Sequence, residues 1–97
     1  MKASVSYKKQ LLQSLKDPEE AAAYLNAALE DKDPRVFLLA LQDVIESRSL
    51  SIAQIAKTTL LDRTHLYRML SKKGNPELRS LHTLLKGLGF RLAVAVD

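Results

Sequence analysis

Two helix-start signals stand close together in residues 51–71, SIAQIAKTTLLDRTHLYRMLS, and this stretch limits the fold more than any other. Ser51 with Gln54 three positions on makes an S-x-x-Q capping box, so a helix is expected from Ile52 with its free N–H groups satisfied. Ile55 and Ala56 of that helix point inward. Asp62 then caps RTHLYRML, where Leu66 and Leu70, four apart, share a buried stripe. The stretch reads as two short helices across a tight turn, a DNA-binding helix-turn-helix. Arg63, Thr64, His65 and Arg68 look outward from the N-terminal part of the recognition helix, where side chains reach base edges and Arg suits guanine bidentately. Gln54, Lys57, Tyr67, Lys72 and Lys73 are the candidate phosphate contacts, which give affinity without sequence information.

Charge follows the same division. Residues 47–97 carry nine basic side chains against Asp62, Glu77 and Asp97; residues 17–46 carry eight acids against Lys32 and Arg35; residues 1–16 carry four lysines and no acid. The asymmetry points to two charged partners of opposite sign, a polyanion for the C-terminal half and something basic for residues 17–46.

With 97 residues the chain is long enough for one modest core of four to six helices and too short for a large enzyme cleft. It has no cysteine, and His65 and His82 lie too far apart to suggest a local ligand pair, so neither a metal nor another cofactor is expected. No acid/base or nucleophile constellation has usable spacing, and the chain is read as a non-enzyme. No apolar run approaches the roughly 20 residues of a membrane span, and MKASVSYKKQ lacks the apolar core of a signal peptide. A soluble, cytoplasmic protein is expected.

Residues 1–16 have no clear start signal; with scattered Leu11, Leu12 and Leu15 they read as a partly ordered arm, leaving residues 17–97 as the single domain. Asp17-Pro18-Glu19-Glu20 and Asp33-Pro34 are strong helix starts, each a capping aspartate followed by proline at the first helical position. Ala21, Leu25, Ala28 and Leu29 form one face of the first of these helices, with Tyr24 beside them. In the second, Phe37, Leu41, Val44 and Ile45 form a stripe that Val36, Leu39 and Ala40 extend, as expected of a central helix. Lys72-Lys73-Gly74-Asn75-Pro76 punctuates a loop. Ser80 is a candidate cap for a last helix with Leu81, Leu84, Leu85 and Leu88 on one side, and Gly89 sits where a residue with positive φ ends it. Phe90, Leu92, Val94 and Val96 alternate as a short strand over residues 90–96; with no second strand in the chain, it is a candidate edge for a homodimer.

The matches D-P-E-E-A-A-x-Y-L-N-A-A-L-E at Asp17–Glu30, L-Y-R-M-L-S at Leu66–Ser71, G-N-P at Gly74–Pro76 and L-L-K-G-L-G-F-R-L at Leu84–Leu92 give the chain a resemblance to the addiction-module antidote proteins, antitoxins with a Cro/repressor-type helix-turn-helix. The resemblance covers about residues 17–96. It implies an all-α, five-helix lambda-repressor-like domain, here with the short C-terminal strand, that binds operator DNA, represses its own operon and neutralises a RelE/HigB-like toxin, typically a small basic ribonuclease. A free-standing phage-type repressor without a toxin is the alternative. Against a basic toxin, Glu19, Glu20 and Glu30 are the natural charged contacts, with Leu11, Leu12, Leu15 and Tyr24 supplying apolar ones. Two departures stand out: the family usually has glycine in the turn where this chain has Leu60, and Ser or Thr as the cap where it has Asp62.

Overall fold

Aspartate followed by proline opens two of the six α-helices found among the described residues of the computed structural model, which are residues 2–71 and 73–97. The helices are α1 (Lys2–Ser14), α2 (Pro18–Leu29), α3 (Pro34–Ser47), α4 (Ile52–Thr59), α5 (Arg63–Met69) and α6 (Leu78–Gly87). The Asp17 and Asp33 carboxylates accept the N–H groups of Glu19 and Arg35, each at 2.9 Å. Proline at the next position gives nothing up, because a first-turn N–H has no partner inside its helix. The Ser51 box closes as read: Ser51 Oγ accepts from the Gln54 N–H at 3.1 Å, and Gln54 Oε1 accepts from the Ser51 N–H at 2.8 Å. Asp62 accepts from the His65 N–H at 3.0 Å.

The caps fix where helices start; burial decides how they sit. Phe37, Leu38, Ala40, Leu41, Val44 and Ile45 line a broad buried arc of α3, and α1 and α2 both pack on this helix. Leu39 was expected to extend the arc, yet it is 53% exposed. At about 100° per residue it falls on the side away from the Phe37–Leu41–Val44 stripe. Leu29, expected in the core, is exposed as well, since α2 ends there. Leu66, Met69 and Leu70 at the end of α5 and Leu84, Leu85 and Leu88 of α6 join the same cluster, so one core serves both halves of the chain.

Three expectations are corrected. Residues 2–14, read as a partly ordered arm, are helical; the missing cap signal is overridden by tertiary packing, with Leu15 1% exposed and Lys8 paired at 3.4 Å with both Asp43 and Glu46. The last helix begins at Leu78 under Glu77, whose side chain makes no cap bond, and Ser80 is not its cap. Residues 90–96 form no strand, because a strand is defined by a ladder and among the described residues no segment pairs with them in one. The five-helix domain with a strand is therefore six helices and an irregular C-terminal segment among the described residues. At its start, Gly89 adopts φ +91°, with the Phe90 N–H donating to the Leu85 carbonyl at 2.8 Å and the Gly89 N–H to Lys86 at 3.0 Å, a Schellman closure of α6. Phe90 and Leu92 pack against the core, while Val94 and Val96 are fully exposed.

Truncation should separate the two sides of α3. Leu41→Ala, at a fully buried site, should cost about 2–5 kcal/mol, and Leu39→Ala less than about 1 kcal/mol, as read from urea unfolding midpoints.

Candidate nucleic-acid interface

Thr59 shapes the turn between α4 and α5. Its hydroxyl donates to the Ile55 carbonyl at 2.7 Å and accepts from the Leu61 N–H at 3.3 Å. Leu60, between them, takes φ 62° and ψ 19°, a left-handed conformation in which Cβ crowds the following carbonyl, and its side chain is 91% exposed. The turn therefore carries backbone strain with no compensating burial. α4 packs on α6 as well as α5, and Gly87 makes that approach possible: a Cβ there would overlap the Thr59 methyl.

On this frame Arg63, Thr64 and Arg68 of α5 are exposed, as are Gln54 and Lys57 of α4 and Lys73 in the loop beyond. Tyr67 is 59% exposed on the same short helix. Gln54 spends its Oε1 in the capping box, which leaves Nε2 as a donor held at the start of α4. Lys72 lies outside the described residues. His65 departs from expectation: its ring is half-buried, with Nε2 2.9 Å from Ser80 Oγ of α6, so it does not stand free beside its neighbours. The reason is angular, since His65 lies at the border between the outward face and the Leu66–Met69 stripe.

Two side chains that sequence reading did not single out tie α3 to this unit. Gln42 donates to the Leu70 carbonyl at the end of α5. Arg48 donates to the Leu88 carbonyl at 2.6 Å and lies over the Phe90 ring, 5.2 Å from its centre, so one of the nine C-terminal cations serves the fold and not a surface.

The acidic region is divided by the same geometry. The Tyr24 hydroxyl, midway along α2, donates to Asp43 Oδ2 in the second half of α3 at 2.7 Å and ties the two helices together. Glu19 and Glu20 lie in the first turn of α2 and Glu30 just past its last residue, at opposite ends of that helix. Asp43 and Glu46 are paired with Lys8, and Asp33 with Arg35 at 2.8 Å. Burial, helped by the bond to Asp43, pushes the Tyr24 hydroxyl up to about 12. Of the expected partner contacts, Leu15 is in the core and Tyr24 is tied to α3; Leu11 packs half-buried against the core and Leu12 is half-buried, while Glu19, Glu20 and Glu30 are exposed. Among the described residues no three metal-ligating side chains come together, and no helix is long and apolar enough to cross a membrane.

The sequence profile of a family described as "Probable addiction module antidote protein" matches residues 7–96. Over 80 residues the chain is 34% identical to an uncharacterized protein of Haemophilus influenzae, an alignment that covers 82% of this chain and 80% of the relative. No solved structure matches.

The strain at the turn has a direct test. Leu60→Gly should stabilise the protein by about 0.5–1 kcal/mol, the relief of the left-handed penalty less the added freedom of the unfolded chain, whereas Leu60→Ala should gain little. Thermal melts of the two variants beside the parent protein read the difference.

Proposed function

Because the chain belongs to the family of addiction module antidote proteins, we propose that it acts as the antitoxin of a toxin–antitoxin pair and binds operator DNA through α5, repressing its own operon. The observation that carries the DNA reading is the outward set Arg63, Thr64 and Arg68 on a short capped helix, flanked by Lys57 and Lys73. Guanidinium groups there have the reach and donor geometry for base edges, and the lysines supply sequence-independent attraction to phosphates. The α4–turn–α5 unit supported by α6 is the arrangement expected of a lambda-repressor-like domain. A chain of this kind binds and blocks; it is not proposed as an enzyme.

The partner, on this reading, is a small basic toxin of the RelE/HigB-like kind. Glu19, Glu20 and Glu30 are its charged contacts, with apolar side chains supplying lasting affinity. A homodimer would place two recognition helices about 34 Å apart on successive turns of one DNA face. The C-terminal segment supports that reading: Val94 and Val96 are fully exposed, and among the described residues positions 91–97 make no backbone hydrogen bond to the rest of the chain, so a second copy can pair with them.

Gel shifts across a salt series test the DNA reading. Arg68→Ala should cost roughly 1–3 kcal/mol on the operator with loss of preference among its variants, and Lys73→Ala should weaken all duplexes alike. No effect of either change, with the fold intact by circular dichroism, overturns it. Deleting residues 93–97 should leave a monomer in sedimentation; a persistent dimer would place the interface elsewhere.

A further inference from the structure

Ser80 is buried in α6, within hydrogen-bond distance of His65 in the first turn of α5. It is one of two buried polar side chains among the described residues. The other, Ser47, satisfies its hydroxyl within its own helix, on the Val44 carbonyl at 2.6 Å. Ser80 does not: its hydroxyl reaches across to His65 Nε2 at 2.9 Å. It caps nothing, since α6 has already begun at Leu78. Serine is also a poorer interior helix residue than alanine. Its use here is the cross-helix bond.

That bond acts on a short helix. α5 is seven residues long, and its buried side is Leu66 and Met69. Apolar burial is non-directional and resists a roll of a few degrees only weakly; a hydrogen bond fixes a direction. α5 has such a bond from a neighbouring helix near each end, His65 to Ser80 in the first turn and Gln42 to the Leu70 carbonyl just past the last. His65 sits between Thr64 and Arg68, the side chains that would read bases, so any roll permitted at His65 moves both.

Resting on the reading of α5 as the recognition helix, we propose that Ser80 and His65 are positioning residues for sequence recognition: their bond sets the rotation of α5, and His65 itself reads no base. Base reading then falls to Arg63, Thr64 and Arg68.

The test uses the full chain as Ser80→Ala, His65→Ala, the double variant and His65→Gln, whose amide can still meet the Ser80 hydroxyl. Each is measured on a duplex that the parent protein selects from a randomised pool and on an unrelated duplex of equal length. Ser80→Ala and His65→Ala should each weaken the selected duplex roughly three- to tenfold, with the double variant no worse than either, because they remove one and the same bond. Affinity for the unrelated duplex should not move, and His65→Gln should recover part of the loss. Parent-like binding by Ser80→Ala, or a loss of preference at a single base pair confined to His65→Ala, overturns the proposal, the latter by making His65 a base reader. If the parent protein selects no sequence at all, the DNA reading fails separately. The bond's hold on α5 is then judged by amide hydrogen exchange in the free protein: Ser80→Ala should speed exchange at residues 66–69 relative to α2, and unchanged exchange overturns it.

Discussion

The buried arc of α3 is the constraint from which the other helices take their places. α1 and α2 cover it on one side, and the α4–α6 unit closes the same core from the other. Apolar contact alone would leave that second junction free to slide. Gln42 and Arg48, both from α3 or its last turn, end on carbonyls that α5 and α6 leave unpaired at their C-termini. Each bond therefore does two things at once, satisfying an orphan acceptor and fixing a distance between two parts of the fold.

This division of labour shows in how the charged groups are used. Near α3 they are consumed: Lys8 on Asp43 and Glu46, Arg35 on Asp33, Arg48 on a carbonyl and an aromatic ring. Such exposed pairs add little stability each, but they remove charge from the surface that a partner would meet. Around α5 the cations are left facing solvent. A polyanion approaching this chain meets a far less compensated field there than at α3.

What could be read from the residues alone was what they decide locally. The starts at Asp17, Asp33, Ser51 and Asp62 depend on atoms two or three residues apart, so pattern and structure agree. The same holds for the turn at Gly89 and for the buried leucines of α5 and α6. The contacts that complete the candidate interface were not legible, because His65 meets Ser80 across 15 positions, Gln42 meets Leu70 across 28 and Arg48 meets Leu88 across 40. Nothing in the spacing of a serine in a leucine-rich helix says that its hydroxyl faces a histidine. α1 is not legible for a different reason, since its order comes from Lys8 pairing with α3 and from Leu15 entering the core, and not from a cap. The alternation of Phe90 to Val96 was real, yet alternation describes which side chains share a side and not whether a second backbone lies beside them.

The contact between Gly87 and Thr59 has a consequence for how this chain can change. The space of a β-carbon on α6 is already occupied by a methyl from α4, so the two positions share one volume. A larger residue at 87 requires the Thr59 methyl to move or to be absent, and serine at 59 would remove it while keeping the hydroxyl that the turn uses. Change at 87 is thus eased by change at 59, whereas serine at 59 asks nothing of 87.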